Sequence, residues 1–304
     1  MIKTLRFVLA LSLGALALPL LGGAVVAAST VAKPQCIVSL SPTATETLFS
    51  IGAGPQVQAV DVDSDFPKSG LPTKRINALN PSVESVLGIC TSTKAHPSTK
   101  PDLVIISYDA NSIKEKLTNL GVKVVDQDAA TSVANALQQI RQLGRLTGHE
   151  AKADSLASSM NTLIKADIAS VPAHPKKKIT VYYEIGTNPY YSLTSKTFVG
   201  SLMKSLGLVN IADADSTTAD AGYPELSAEY IVSANPKLVF LADSVKPSSV
   251  AKRAGFAKIS AVTSNNVVEL NADIASRWGP RLTVLMYQLT SEVKKVLHEA
   301  KLRN

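Results

Sequence analysis

Histidine, cysteine and tryptophan are scarce in this chain of 304 residues, which has four, two and one of them. The histidines lie far apart, without the spacing typical of metal ligands: His96, His149, His174 and His298. The sequence contains no CxxC, HExxH or GxSxG motif and no Walker-type phosphate loop. These absences favour a binding protein over an enzyme, and we expect the chain to have no catalytic residue, metal site or cofactor. The histidines are expected at the surface.

Charge is also limited. Charged residues make up 18% of the chain, hydrophobic residues make up 45%, and the formal net charge is +7. This composition is that of a folded globular protein. The basic residues are dispersed, and their longest run, Lys176 to Lys178, is interpreted as a solvated loop. We therefore predict no nucleic-acid partner.

A long apolar run occurs only at the start of the chain. Lys3 and Arg6 precede the apolar stretch 7–21, and small residues follow at 26–28. This pattern is typical of a cleaved secretory signal peptide over residues 1–28, and an uncleaved membrane anchor is the alternative. The expected location is periplasmic or otherwise extracytoplasmic.

Cys36 and Cys90 are the two cysteines. Cys36 follows Lys33-Pro34-Gln35, which lacks the small and aliphatic residues of a lipoprotein cleavage box. Lipid attachment is therefore not expected. In an exported chain the two thiols can pair, and a disulfide between them is the preferred hypothesis.

Hydrophobic periodicity predicts strands and helices in alternation on both sides of a helical stretch. This alternation indicates an α/β protein with two Rossmann-like lobes built on parallel sheets, over residues 33–130 and 177–304. A single continuous sheet is the alternative. Residues 131–171 keep apolar spacing that predicts one rigid connecting helix, about 60 Å long at 1.5 Å per residue.

One sequence pattern occurs twice in the chain. "SVESVLGI" (82–89) followed by "KPDLVII" (100–106) is echoed by "SAEYIVSANPKLVFL" (227–241). Each copy predicts a serine-capped helix followed by a buried strand, with Glu84 or Glu229 in the first turn of the helix. The first copy contains an insert, "CTSTKAHPST", that begins at Cys90.

Six phrases, in order, resemble the substrate-binding proteins of ABC importers for vitamin B12, iron siderophores and haem. They are "IVSLSPTATETLFSIGAG" (37–54), "SDFP" (64–67), "KPDLVII" (100–106), "EIGTNPYYSLTSKTF" (184–198), "GYPELSAE" (222–229) and "SRWGPRL" (276–282). They span most of the chain after residue 36, and the similarity is greatest to the B12-binding member. The resemblance implies a bilobal, chelatase-like fold and a monomer. Its function would be to carry a metal chelate to a membrane permease dimer.

The resemblance also implies roles for individual residues. Glu84 and Glu229 would dock on arginines of the two permease subunits, although from the residues alone they are merely first-turn glutamates. The cleft would be lined by Asp63, Tyr108, Tyr191, Tyr223, Asp273, Arg277 and Trp278. The alternative for each tyrosine is that it only packs at the edge of a lobe.

The sequence departs from the B12-binding pattern, because tyrosines and Asp63 stand where that protein has several tryptophans. This departure leaves room for a related corrinoid, a haem or a ferric siderophore. The overall similarity to the B12-binding member still makes cobalamin or another corrinoid the preferred ligand, with a ferric siderophore or haem as alternatives. A secreted enzyme on a bilobal α/β fold and a scavenging protein without a transporter are the competing hypotheses.

Overall fold

The structure is a computed structural model that describes residues 33–94, 96–173, 178–214 and 221–302. The predicted signal peptide, His174, Lys176 and Lys177 lie outside the described residues. Among the helices that are described, none combines the length and apolarity needed to cross a membrane.

The first half of the described chain forms a parallel sheet with strand order β3-β2-β1-β4-β5. Its elements are β1 (Ile37–Leu40), α1 (Pro42–Ser50), β2 (Val57–Asp61), β3 (Arg75–Ile76), α2 (Val83–Leu87), β4 (Leu103–Ile106), α3 (Ile113–Asn119) and β5 (Val124–Asp126). The central strands β1 and β4 are buried along their whole length. The continuous apolar runs of these strands follow from helices covering both faces of the sheet.

The connection between the halves differs from the predicted single helix. It consists of α4 (Val133–Thr147) and α5 (Glu150–Ala169). Gly148 ends α4 in the left-handed conformation, with φ of 72°, which glycine adopts without steric cost. The helices touch beside this break, because a Cβ on Gly144 would collide with the Cβ of Ala153. The apolar spacing correctly predicts which side chains are buried, among them Leu137 and Met160. The prediction of one continuous helix is wrong.

The second half forms a mixed sheet rather than the expected parallel one. Its elements are β6 (Ile179–Thr187), β7 (Tyr190–Ser192), α6 (Phe198–Ser205), β8 (Leu208–Asn210), β9 (Glu225–Leu226), α7 (Ala228–Ala234), β10 (Leu238–Leu241), α8 (Pro247–Val250), α9 (Ser260–Thr263), β11 (Val267–Glu269), α10 (Ala272–Ala275) and α11 (Leu282–Leu302). Strands β8, β6, β10 and β11 are parallel, whereas β7 and β9 add antiparallel pairs. Two separate sheets confirm the predicted α/β class and exclude the single continuous sheet.

One hydrophobic cluster joins the two halves. It contains Ile37 and Leu103 from the first sheet and Val181 and Phe240 from the second. Buried side chains of α4, α5 and α11 fill the space between the sheets. A shared, close-packed core of this kind resists independent movement of the two sheets.

The predicted disulfide is present and fastens the insert. Cys36 and Cys90 are bonded, with their Cα atoms 6.2 Å apart. His96 is buried rather than at the surface, and its Nε2 lies 3.2 Å from a carboxylate oxygen of Asp102. Asp102 also accepts hydrogen bonds from the backbone N–H groups of Gln35 and Cys36. The insert is thus fixed at the amino ends of β1 and β4.

Gly144→Ala tests the contact between the helices. In an exposed helix this change stabilises by about 1 kcal/mol, because alanine has the higher helix propensity. Here we expect destabilisation by roughly 1–3 kcal/mol, because the added methyl group overpacks the contact with Ala153. Urea unfolding measures the difference, with Gln138→Ala on the exposed face of α4 as the control. A stabilised Gly144→Ala protein would show that the helices are not in close contact.

Candidate functional site

Two adjoining cavities open near the carboxyl ends of the strands, where open α/β sheets place their binding sites. The first, of about 550 Å³, has polar walls: Ser41, Pro42, Thr43, Val62, Asp63, Asp65, Ser107, Asp273, Ser276, Arg277 and Trp278. The second, of about 290 Å³, is largely apolar, with most of its lining from the second half of the chain. Both share Ser276, Arg277 and Trp278. We call them the polar cavity and the apolar cavity.

The polar cavity lies between the two halves of the chain. One wall consists of the loops that follow β1, β2 and β4, and the other is the segment 273–278 after β11. The loop after β2 is held by Asp61, whose carboxylate accepts hydrogen bonds from the N–H groups of Asp63 and Ala78. The Asp63 side chain is exposed at the mouth of the cavity.

Behind this cavity lies a buried ion cluster. Glu46 of α1 is 1% exposed and accepts hydrogen bonds from Arg277 at 2.7 Å and from Arg281 at 2.6 and 3.0 Å. Arg281 also lies over the ring of Phe66, 4.6 Å from its centroid. We call Glu46, Arg277 and Arg281 the inter-half ion cluster, because Glu46 belongs to the first half and both arginines belong to the second.

Arg277 has no terminal N–H group left for a ligand. Its Nη1 donates to Glu46 and to Asp65 at 2.6 Å, and its Nη2 donates to the carbonyl of Asp63 at 2.8 Å and to Asp273 at 3.1 Å. These four bonds use the four hydrogens that the two nitrogens carry. Arg277 therefore links the two halves of the chain by hydrogen bonds, in addition to lining both cavities.

The polar cavity is acidic. Burial would raise the pKa of Asp65, but hydrogen bonds from Lys68 and Arg277 outweigh it and lower this pKa to about 2. Asp65 is therefore ionised at neutral pH. Asp63 and Asp273 line the same cavity, and its one lining arginine is already paired. A ligand thus meets carboxylate acceptors here and no available cation.

The apolar cavity has different chemistry. Its lining is mainly aliphatic and aromatic: Ala129, Tyr183, Ile185, Leu193, Thr197, Phe198, Val199, Tyr223, Ala242, Ala272, Ala275, Ser276, Arg277 and Trp278. Trp278 is oriented by a 2.7 Å hydrogen bond from its indole N–H to Gln139 of α4. The buried hydroxyl of Tyr183 has no hydrogen-bond partner in the described part of the chain.

The structure brings together five of the seven predicted cleft residues. Asp63 and Asp273 line the polar cavity, Tyr223 lines the apolar one, and Arg277 and Trp278 line both. Tyr108 and Tyr191 are exposed and belong to neither cavity lining. A ligand-binding role for these two tyrosines stays a prediction.

The two predicted docking glutamates occupy equivalent positions. Glu84 and Glu229 are exposed in the first turns of α2 and α7, which are capped by Ser82 and Ser227. Among the described residues, neither carboxylate has an ion-pair or hydrogen-bond partner. Each helix follows the carboxyl end of an edge strand, β3 or β9, that runs in the same direction as the central strands, so each glutamate lies on the carboxyl-end side of its sheet, as the cavities do.

Sequence reasoning missed Glu46, Asp65 and Arg281. A usable signal existed for Glu46, which is the one charged residue in the helix "PTATETLFS". A second buried pair was also missed, in which Arg253 donates to both oxygens of Glu184, at 2.6 and 2.8 Å. Burial raises the pKa of Glu184 above its ordinary value, and this effect outweighs the lowering of the pKa by the hydrogen bonds and charge of Arg253.

No group of three or more histidine, cysteine or acidic side chains within the described ranges is placed to hold a metal ion. The site thus consists of an acidic cavity, an apolar cavity and a tryptophan between them. Its chemistry is that of binding an uncharged or cationic ligand with an apolar part.

Comparison with known proteins identifies relatives. Residues 37–274 match the family described as periplasmic binding protein. An ABC transporter substrate-binding lipoprotein of Bacillus subtilis is 30% identical over 272 residues, covering 86% of this chain and 80% of the relative. A cobalamin-binding protein of Halobacterium salinarum is 28% identical over 274 residues, covering 85% and 69%. The crystal structure of a periplasmic vitamin B12-binding protein of Vibrio cholerae has a TM-score of 0.69 and 26% identity, covering 87% and 98%.

Glu46→Gln tests the inter-half ion cluster. The substitution keeps the shape of the side chain but leaves Arg277 and Arg281 without their shared buried counter-charge, so we expect a loss of about 3 kcal/mol in the free energy of unfolding. Urea unfolding measures it. Glu150→Gln, in the exposed first turn of α5, is the control and should change stability by less than about 0.5 kcal/mol. Equal stabilities of the two variants would contradict a structural role for the cluster.

The pKa of Asp65 predicts a pH dependence. Because its folded pKa, about 2, lies below its ordinary value of 3.8, its contribution to stability is complete above pH 3.8 and is lost as the pH falls through 2. Asp65→Asn should therefore lose stability less steeply than the wild type across this range. Urea midpoints at successive pH values measure the slope. Asp154→Asn, at an exposed pair with Arg141, should keep the wild-type slope, and a wild-type slope for Asp65→Asn would refute the prediction.

Proposed function

Because the chain belongs to the periplasmic binding protein family, we propose that it captures a metal chelate outside the cytoplasm and delivers it to an ABC importer. The preferred ligand is cobalamin or another corrinoid. The observation that carries the proposal is the pair of adjoining cavities, one acidic and one apolar, that meet at Trp278. The relatives that bind cobalamin or vitamin B12 support the same assignment.

The chemistry of the walls supports a corrinoid over haem. A corrinoid presents a flat macrocycle with amide side chains around its rim. Amide N–H groups match the carboxylate of Asp63 and the Asp273 carboxylate, one oxygen of which also binds Arg277. Haem carries two carboxylates, which need available cations. Arg277 cannot supply one, because its terminal N–H groups are all engaged by protein acceptors. An anionic chelate would therefore face repulsion in the polar cavity.

The permease is the proposed partner, and Glu84 and Glu229 are the proposed contacts. Both carboxylates are exposed on the cavity side of the protein. Exposed ion pairs are individually weak, so paired glutamates would chiefly set the orientation and encounter rate of docking. The protein would act as a monomer, because one glutamate from each half of a single chain can match a two-fold permease. The proposed role is binding and delivery, without catalytic activity.

Export by a cleaved signal peptide over residues 1–28 belongs to the same proposal. The Bacillus relative is named a lipoprotein. In this chain the two cysteines are bonded to each other, which supports an exported form without a lipid anchor.

Fluorescence of Trp278 tests the ligand. This residue is the one tryptophan of the chain and lines both cavities, so a coloured chelate bound there should quench its emission strongly. The titration uses cyanocobalamin, dicyanocobinamide, haemin and a ferric siderophore, with calorimetry in parallel. We expect saturable quenching by the corrinoids and at least tenfold weaker binding of haemin, a difference of about 1.4 kcal/mol. Absence of both quenching and heat for all four would refute the proposal, and preferential binding of haemin would refute the corrinoid assignment.

Replacing Glu84 and Glu229 together with arginine tests the docking surface. We expect uptake through the cognate importer to be lost while the corrinoid affinity measured by Trp278 quenching stays unchanged, because neither residue lines a cavity. The matched control replaces Glu150 and Asp154, two exposed acidic residues of α5, with arginine. Wild-type uptake by the Glu84/Glu229 variant would exclude these residues as contacts.

A further inference from the structure

Lysines that are dispersed in the sequence collect at one edge of the first sheet. Because its five strands are parallel, their amino ends lie at the same edge. Lys33, Lys74, Lys100 and Lys123 are exposed and lie within four positions of the first residues of β1, β3, β4 and β5. Lys94, also exposed, belongs to the insert at the same ends. We call these five residues the lysine edge.

The insert holds Lys94 in this position. Thr93 and His96, on either side of Lys94, are joined by a backbone hydrogen bond of 2.7 Å. His96 lies against Asp102, which directly precedes β4. The start of the insert is bonded through the disulfide to the residue before β1. The insert is thus fixed at two points of the edge, and Lys94 lies between them in the chain.

The charges of the lysine edge are not compensated. In the part of the chain that the structure describes, none of the five lysines forms an ion pair. Lys74 and Lys100 donate instead to the backbone carbonyls of Ile89 and Leu120, at 2.7 and 2.9 Å. An ammonium group has three donor hydrogens, so each of these two lysines keeps two for a partner.

One carboxylate, that of Asp102, lies among these lysines and is engaged. It accepts hydrogen bonds from the N–H groups of Gln35 and Cys36 with one oxygen, and its other oxygen faces Nε2 of His96. Five lysines and this aspartate give the edge a net charge of +4.

The neighbouring start of α5 leaves this balance unchanged. The side chain of Lys33 packs against Gly148, close to the first turn of α5. That turn contributes Glu150 and Lys152, whose charges cancel.

The opposite edge of the same sheet has the opposite charge. Its exposed lysines, Lys68 and Lys114, are paired with Asp65 and Asp126. Four exposed carboxylates without an ion-pair partner among the described residues follow the carboxyl ends of the strands: Asp63, Glu84, Asp109 and Asp128. The first half of the protein is therefore basic at one end of its strands and acidic at the other.

The lysine edge fits an extended anionic partner. None of its residues lines the polar or the apolar cavity, so it is no pocket for a single small anion. Lysine attracts phosphate and carboxylate groups as a point charge, without requiring one geometry. Several ammonium groups along one edge match a partner that presents many anionic groups.

The position of the edge favours a polymer over a membrane. A protein bound to an anionic membrane by the lysine edge would present its cavities and Glu84 away from that membrane, because they lie at the opposite edge. Delivery to a membrane permease requires the reverse orientation. An anionic polymer leaves the cavity side free. This choice of partner rests on the proposed function, whereas the charge of the edge does not.

We propose that the lysine edge binds a phosphate-bearing polymer of the cell envelope and retains the exported protein there, with its cavities free. This interaction gives the insert a role that the ligand site does not provide. The disulfide and the contact between His96 and Asp102 place Lys94 beside the other four lysines.

Binding to long-chain polyphosphate tests the edge. Biolayer interferometry measures binding of the protein, purified after export, to immobilised polyphosphate along a salt series. We expect the wild type to bind and its affinity to fall as the salt concentration rises. Lysine→Gln at all five positions should weaken binding roughly tenfold or more and flatten the salt dependence, because each lost phosphate contact removes released counterions. Lysine→Arg at the same positions keeps the charge and should bind like the wild type.

The matched control separates this edge from overall charge. It replaces five exposed lysines elsewhere with glutamine: Lys165, Lys196, Lys204, Lys252 and Lys258. This variant has the same net charge as the first glutamine variant and should keep wild-type affinity within about twofold. Urea unfolding verifies that all variants are folded. Failure of the wild type to bind, or equal weakening by the two glutamine sets, would overturn the lysine edge.

Vesicles distinguish the polymer from a membrane. Cosedimentation with phosphatidylglycerol vesicles is compared with polyphosphate binding at equal phosphate concentration, with phosphatidylcholine vesicles as the uncharged reference. We expect tighter binding to polyphosphate, because a flexible polymer can reach ammonium groups that do not lie in one plane. Tighter binding to phosphatidylglycerol would overturn the polymer as the partner and assign the edge to a membrane.

The same titrations separate this proposal from the proposed function. If polyphosphate binds through the lysine edge and no chelate quenches Trp278, the edge stands and the proposed function fails. If a chelate quenches Trp278 and the wild type does not bind polyphosphate, the proposed function stands and the lysine edge is refuted. With both correct, protein bound to polyphosphate should bind cyanocobalamin with unchanged affinity, because the cavities lie at the other edge.

Discussion

The carboxylate of Glu46 is the group on which the arrangement of the site depends. It is buried under the polar cavity and is shared by Arg277 and Arg281, which come from the other half of the chain. A buried charge is tolerated only with counter-charges and hydrogen bonds, so Glu46 fixes both arginines in place. They flank the loop that carries Trp278 and leads into α11. The wall common to the two cavities is therefore positioned by one ion cluster.

The same cluster decides the electrostatics of binding. An arginine in a cleft normally suggests recognition of an anion. In the folded protein the terminal N–H groups of Arg277 bond to the carboxylates of Glu46, Asp65 and Asp273 and to the backbone carbonyl of Asp63, so it neutralises protein carboxylates instead. What remains for the ligand is an acidic surface on one side and an apolar surface on the other. This division is the physical reason for which the proposed function prefers a neutral, amide-bearing chelate to an anionic one.

Much of the fold could be predicted, because it follows from local patterns. The serine caps at Ser82 and Ser227, the buried strands β1 and β4 and the disulfide of Cys36 all appear where the sequence indicates them. The unbroken connecting helix was the wrong inference. Glycine costs a helix little when it stays helical, so the break depends on the left-handed conformation at Gly148, which the sequence permits and the packing of α4 on α5 selects.

The sequence by itself determined the class of the protein and the alternation of elements, because these depend on periodicity. The five residues that line the cavities followed from the family resemblance, which rests on phrases of a few residues. The tertiary structure alone decided which groups are free to act. Glu46 and Arg281 are 235 positions apart, and no local pattern indicates that they meet. Likewise, Tyr182 and Tyr183 are neighbours of identical type, yet among the described residues only the hydroxyl of Tyr182 has a partner. Whether a polar group finds a hydrogen-bond partner depends on atoms that folding brings together over long sequence distances. For that reason only the tertiary structure decides it, whereas secondary structure follows from the local sequence.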